Sequence, residues 1–215
     1  MTLAIQRLNE GIRATLVAHF LALPMKDRRL RFGTALAPAV IATYVDGIDF
    51  IRGAVFGVHD NRLALVGVAH VAIEDDLAEV ALSVLPMHRG RGVGSALFKR
   101  AVAHACNRCV PRLFMIFRSE NAPIMRIAQR FGMRIVAGGG EARAVLALQH
   151  SGQVASDSFA LAGVMLENSP DSGTVGQPTS DSVVAPIDTH WSRILYCDLF
   201  SARADGSTPD LGELT

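Results

Sequence analysis

Glycines and arginines alternate over one short stretch of the chain, Arg89-Gly90-Arg91-Gly92-Val93-Gly94. An apolar run from 77 to 84 precedes the stretch, and apolar residues at helical spacing follow it, so it is predicted to join a buried strand to a helix. The first turn of a helix has unpaired N–H groups and a partial positive charge, and therefore attracts anions. Glycine leaves room for a phosphate and permits positive φ. Phosphate binding is the chemistry that this stretch predicts.

A single carboxylate, Glu79, interrupts the predicted strand from 77 to 84. Apolar neighbours would desolvate it, favour its neutral form and raise its pKa toward working pH. A carboxylate whose pKa lies near working pH can take a proton from a substrate. A solvent-facing carboxylate on one side of a sheet is the alternative interpretation.

Two common phosphate-binding motifs fit the glycine-rich stretch poorly. A P-loop ends in Gly-Lys-Ser/Thr, but Gly94 is followed by Ser95 and Ala96. The dinucleotide-binding fingerprint needs a glycine three residues after Gly92, and that residue is Ser95. Neither nucleotide-binding class is therefore predicted.

The spacing Arg89-x-x-Gly92-x-Gly94 instead resembles the Arg/Gln-x-x-Gly-x-Gly/Ala signature of the GCN5-related N-acetyltransferase (GNAT) superfamily. The segment 120–133, ENAPIMRIAQRFGM, resembles that family's second signature, in which an asparagine opens a helix. The resemblance implies an N-acetyltransferase that uses acetyl-coenzyme A (acetyl-CoA) as co-substrate and no metal. In this family the loop amides hold the pyrophosphate of the co-substrate.

The resemblance also implies which residues form the site. In the family the strand separates from its neighbour near residues 82–84, and a backbone N–H there supports the thioester oxygen. Glu79 matches a glutamate that several members carry on this strand, so it is the predicted catalytic base. The predicted cofactor-binding residues are Leu82, Val84, Arg89, Gly90, Arg91, Gly92, Val93, Gly94, Ser95 and Asn121. Asn121 could also cap a helix, and both roles could hold together.

One position departs from the family pattern. Many members carry a tyrosine seven residues after the asparagine, as the acid that protonates the leaving thiolate, whereas this chain has Ala128 there. A thiol pKa of roughly 8.5 allows the thiolate to leave without strong acid assistance. The departure keeps a second interpretation open, in which the chain is a non-catalytic acyl-CoA sensor.

The segment Asp27 to Phe32, DRRLRF, bears on the acceptor. It resembles a Ser-x-x-Arg-Phe-Phe-like stretch in the acetyltransferase domains of some bacterial protein-lysine acetyltransferases. The resemblance implies an amine acceptor and slightly favours protein lysine over a small amine. For its local structure, a solvated basic turn is the favoured interpretation.

Hydrophobic patterning indicates the elements that must position these residues. Apolar runs joined by polar turns between 54 and 84 predict an antiparallel meander, and further strands are predicted at 112–117, 133–136 and 142–148. Residues 1–150 are thus predicted to form an α+β domain. Its sheet is expected to be mixed, mostly antiparallel, with six or seven strands flanked by about four helices.

Charge divides the chain into a basic part and an acidic part. Residues 1–150 contain 19 Lys and Arg against 11 Asp and Glu, and residues 151–215 contain 2 against 9. A basic body suits an anionic co-substrate. The segment 168–182 is rich in Ser, Gly and Pro, so residues 151–215 are predicted to be an acidic, partly disordered extension.

Several partners are not expected from the sequence. The chain has no zinc-finger spacing, aromatic RNA-binding motif or dense basic run, which argues against nucleic acid. It has no apolar run of membrane-spanning length and no signal-peptide pattern, so a cytoplasmic protein without membrane contact is expected. A homodimer is an assembly that the sequence allows.

Overall fold

Residues 4–148 are described by a computed structural model, and they begin with a short strand and three helices. These elements are β1 (Ile5–Leu8), a turn of 3-10 helix (Glu10–Ile12), α1 (Arg13–Ala22), α2 (Met25–Phe32) and α3 (Pro38–Asp46). The side chain of Asn9 caps the 3-10 turn by accepting a hydrogen bond from the Gly11 N–H at 3.1 Å. Pro38 opens α3 and Gly47 follows its last residue.

The segment 27–32 is helical, so its interpretation as a basic turn is wrong. Helix α2 begins directly after Pro24 and ends at Gly33, which has a φ of 77°. A left-handed glycine is a common helix terminator. Phe32 is the one buried residue of α2, and the helix therefore lacks the apolar stripe by which a helix is recognised in a sequence.

The seven strands form one sheet in the order β1-β2-β3-β4-β5-β7-β6. Its remaining strands are β2 (Ala54–His59), β3 (Leu65–Glu74), β4 (Leu77–Val84), β5 (Arg112–Arg118), β6 (Arg134–Gly138) and β7 (Glu141–Ala147). Neighbouring strands are antiparallel except β4 and β5, which are parallel. Two more helices, α4 (Val93–Asn107) and α5 (Ala122–Arg130), follow β4 and β5. The α+β prediction is confirmed, with five helices in the described residues.

Helices cover both faces of the sheet. A Cβ atom at Gly67 of β3 would lie 2.8 Å from Val93 of α4, whereas His70, three residues later, bonds to Tyr44 of α3. Because side chains alternate along a strand, α4 and α3 must lie on opposite faces. We call the side that carries His70 the α1–α3 face.

Among residues 4–148, no helix combines the length and the apolar character needed to cross a membrane. The acidic extension predicted at 151–215 lies outside the described residues, so the division into two parts stays a prediction.

Candidate active site

Strands β4 and β5 pair only where they begin. Residues 77–79 of β4 lie beside residues 112–114 of β5, but β4 continues to Val84 and β5 to Arg118 without further pairing between them. The two strands therefore separate from residue 80 onward. This is the separation that the family resemblance implied near residues 82–84.

The backbone groups of Leu82 and Val84 face this opening. The Leu85 N–H donates to the carbonyl of Val66 on β3 at 2.9 Å, and the register of β3 with β4 is regular up to Val84. Successive residues of a strand direct their polar groups to opposite edges, so those of Leu82 and Val84 point away from β3. The Leu82 N–H is thus directed into the opening between the two strands.

The three glycines of the loop differ in what they provide. Gly90 and Gly92 have φ values of 73° and 80°, and an added Cβ would meet no atom within 4 Å at either position. They are needed for backbone conformation, because other residues are strained at positive φ. A Cβ on Gly94 would lie 3.1 Å from Ile127 Cδ1, so Gly94 allows α4 and α5 to approach each other. The sequence analysis gave all three glycines the same role.

Helix α4 presents an uncapped N-terminus to the opening. Its N-cap is Gly92, and no side chain accepts a hydrogen bond from the first turn. Ala96 is the first residue whose N–H bonds back to Gly92, which leaves the N–H groups of residues 93–95 as anion-binding donors.

A cavity of about 480 Å³ joins these features. Residues of α2, the end of β4, the loop, the first turn of α4 and the length of α5 line it. It contains nine of the ten predicted cofactor-binding residues: Leu82, Val84, Arg89, Gly90, Gly92, Val93, Gly94, Ser95 and Asn121. The tenth, Arg91, is exposed and does not line the cavity, and neither does Glu79.

Arg89 does not carry a free charge beside the loop. Its Nε donates to the Val84 carbonyl at 2.8 Å, and its two terminal nitrogens contact the carboxylate of Asp27 at 3.1 and 2.9 Å. Arg89 therefore fixes the loop to the end of β4 and to α2.

Asn121 is buried at the start of α5 and takes the cap role. Its side-chain oxygen accepts a hydrogen bond from the Ile124 N–H at 3.4 Å. The amide nitrogen is then the group that Asn121 can offer to a ligand in the cavity.

Glu79 is half-buried on the α1–α3 face of β4. Burial raises the pKa of its carboxyl group, and the Arg31 guanidinium opposes that rise by favouring the ionised form. Glu79 lies three positions before Leu82, which is about 10 Å along a strand. A proton would therefore reach Glu79 from a substrate near Leu82 by way of water.

The family model for the acetyltransferase (GNAT) family matches residues 26–133. The chain belongs to the GNAT family. A comparison with curated proteins finds no match.

Solved structures of GNAT proteins share the fold. The GNAT domain of S. lividans PAT is 21% identical with a TM-score of 0.61, and the match covers 69% of this chain and 92% of that one. A phosphinothricin acetyltransferase from Sinorhizobium meliloti, solved in complex with AcCoA, is 14% identical with a TM-score of 0.57, covering 75% and 97%. A ribosomal-protein-alanine N-acetyltransferase from Brucella melitensis is 16% identical with a TM-score of 0.53, covering 68% and 100%.

In this GNAT protein the α1–α3 face carries a hydrogen-bonded chain of three side chains. Arg31 Nη2 donates to the Tyr44 hydroxyl at 2.7 Å, and that hydroxyl lies 2.8 Å from His70 Nδ1. Burial lowers the pKa of His70 to about 3, and the Arg31 cation acts in the same direction. His70 is therefore neutral at pH 7, and its Nδ1 accepts a hydrogen bond from the Tyr44 hydroxyl.

A second chain, formed by His19 and Ser83, lies on the same face. His19 Nδ1 is 2.8 Å from the Leu65 carbonyl and its Nε2 is 2.8 Å from Ser83 Oγ. A carbonyl only accepts, so Nδ1 carries the proton, and Ser83 donates its own proton to Nε2. Burial lowers the pKa of His19 to about 4, which keeps this neutral tautomer at pH 7. Ser83 lines the cavity and can act there only as an acceptor.

The sequence analysis did not identify His19, Arg31 or Ser83 as site residues. Weak signals existed, because His19 lies on the apolar side of α1 three residues after Leu16, and Ser83 interrupts an apolar strand. Their pairing spans 64 residues, so only the fold shows it. Ala128, at the family's tyrosine position, is fully buried and does not line the cavity.

Proposed function

We propose that the chain transfers an acetyl group from acetyl-CoA to an amine acceptor. The observation that carries the proposal is the opening between β4 and β5 next to the uncapped first turn of α4. Backbone N–H groups of residues 93–95 suit a pyrophosphate, and the N–H of Leu82 suits the thioester oxygen as negative charge develops on it. Both sets of donors belong to one cavity.

The proposed reaction is direct attack by the amine, which enters from the α1–α3 face. An ammonium must first lose its proton, and Glu79 accepts it through water, aided by a pKa raised above the ordinary carboxyl value. The C–N bond forms, the nitrogen gives up its second proton to water, the C–S bond breaks, and the thiolate leaves and takes a proton from solvent. Ser83 can accept a hydrogen bond from the N–H of the approaching amine.

A second candidate, a non-catalytic acyl-CoA sensor, is favoured by Ala128. This residue leaves the family's usual acid position without a hydroxyl, and its side chain is fully buried in the core.

Calorimetry with acetyl-CoA, followed by thiol release with a panel of amines, tests the proposal. We expect binding of acetyl-CoA and amine-dependent release of free thiol. Binding without thiol release for every amine would favour the sensor, and absence of binding would exclude both functions.

A further inference from the structure

Arg31 is packed among aromatic side chains at the wall of the cavity. Its guanidinium carbon lies 4.7 Å from the ring centre of Phe32, 5.5 Å from that of Tyr44 and 5.6 Å from that of Phe20. Together with the bond to the Tyr44 hydroxyl, these contacts hold a planar cation in one orientation. The site thus has a positioned guanidinium on the side of α2.

Arg31 forms no ion pair at contact distance with a carboxylate among residues 4–148. The ion pairs found in this part of the chain join Arg29 to Glu120 and Arg89 to Asp27. Arg31 Nε is buried without a hydrogen-bond partner in the described structure, and Arg31 lines the cavity. A half-buried cation is costly unless an anion approaches it, so this wall of the cavity is suited to an anionic group.

The cation also lies near the predicted base. Arg31 favours the ionised form of Glu79, and its hydrogen-bonded chain ends at His70, which pairs in register with Ala81, two residues from Glu79. An acceptor amine arrives as an ammonium, which a guanidinium repels. An acceptor that carries an anion close to its amine would avoid this repulsion.

We propose that Arg31 binds the carboxylate of the acceptor, and that the acceptor is a small zwitterion of the amino-acid type. This inference rests on the proposed function and specifies its substrate. The planar fork of Arg31 can meet two carboxylate oxygens together. The ammonium of the same molecule would then lie toward Glu79. A lysine side chain within a protein has no carboxylate next to its amine. Acetylation of such a lysine is therefore an outcome that the test must distinguish.

Matched acceptor pairs test the proposal on the full chain with acetyl-CoA. Suitable pairs are leucine with 3-methylbutylamine, phenylalanine with phenethylamine, and lysine with cadaverine. We expect kcat/KM to be about 10- to 100-fold higher for the amino acid of an accepted pair, the usual effect of a hydrogen bond to a charged group. Equal rates within the pairs, or preference for a peptide with an internal lysine, would overturn the proposal.

Variants of α2 separate a binding role from a structural one. Arg31→Met should lower kcat/KM for the amino acids about 10- to 100-fold more than for the decarboxylated amines, and Arg31→Lys should retain part of the preference. Arg29→Met, an exposed arginine on the same helix, is the matched control and should keep the full preference. An equal loss for all acceptors in Arg31→Met, at an unchanged melting temperature, would show that Arg31 only positions Tyr44.

Product binding keeps this test separate from the proposed function. Calorimetry should show tighter binding of N-acetyl-L-phenylalanine than of N-acetylphenethylamine, and the difference should disappear in Arg31→Met. If that difference appears without any thiol release, the carboxylate site stands and the proposed function fails. Equal affinities would overturn the carboxylate site, even in an active enzyme.

Discussion

The glycine-rich loop (residues 89–95) and the α1–α3 face lie on two sides of the same opening and are built differently. The loop is one continuous stretch, and it offers backbone N–H groups and two glycines at positive φ. The α1–α3 face offers the side chains of His19, Arg31, Tyr44 and Ser83, which come from four separate elements. Recognition by backbone depends on local conformation, whereas recognition by side chains depends on packing between distant elements.

The largest expected effect is on the α1–α3 face, at Glu79. Glu79→Gln keeps the shape and removes the proton acceptor, so kcat should fall by about 10²- to 10⁴-fold while acetyl-CoA affinity stays unchanged. The wild-type rate should fall as the pH is lowered. Since the pKa of Glu79 is raised, the midpoint of this fall should lie above the ordinary carboxyl pKa of 4.5. Steady-state rates from pH 5 to 9 measure this, and a variant with full activity would remove Glu79 from the mechanism.

The buried histidines of the α1–α3 face should make stability pH-dependent. Folding lowers the pKa of His19 from 6.5 to about 4 and that of His70 from 6.5 to about 3. The unfolded chain therefore binds more protons between pH 6.5 and 4, and the free energy of unfolding falls as pH falls through that window. We expect a loss of about 3 kcal/mol from pH 6.5 to 5 for the two groups together.

Urea unfolding at several pH values checks this loss. His19→Gln should reduce the slope with pH by about half. A wild-type stability that is flat over the window would contradict neutral buried histidines.

A smaller effect is expected on the loop side, from Gly92→Ala. A side chain at positive φ costs about 1–2 kcal/mol of stability, and Gly132→Ala should cost the same, because Gly132 has a φ of 65° and equally open surroundings. Only Gly92→Ala should also weaken acetyl-CoA binding, by about tenfold, since Gly132 lies outside the cavity. Calorimetry and thermal unfolding of both variants would separate strain from ligand contact, and an equal affinity for acetyl-CoA would contradict the loop assignment.

The smallest expected effect comes from breaking the ion pair that joins α2 to the glycine-rich loop. Asp27→Asn breaks the ion pair with Arg89. The Asp27 side chain is 16% exposed and that of Arg89 38%, so the free energy of unfolding should change by less than about 1 kcal/mol. Acetyl-CoA affinity should fall only a few-fold. Arg29→Gln breaks an ion pair outside the cavity and serves as the control. A loss of affinity above tenfold would mean that Asp27 determines the conformation of the loop.

The same comparison explains what the sequence could predict. The strand, the glycine-rich loop and the helix from 77 to 107 are contiguous, so their pattern indicated both the fold and the phosphate chemistry. The helix α2 was missed because its charged sequence has no apolar stripe, and its boundaries depend on Pro24 and Gly33. The pairing of His19 with Ser83 joins residues far apart in the chain, so the local spacing of residues could not predict it.

The bond between Arg89 and Asp27 has a consequence for redesign of this protein. Asp27 lies one helical turn before Arg31, so a single rigid segment carries both the brace of the nucleotide loop and the cation proposed to select the acceptor. Grafting α2 from a relative in order to change the proposed acceptor would also remove the ion pair that holds the glycine-rich loop. A graft that retains Asp27 would keep the two properties independent.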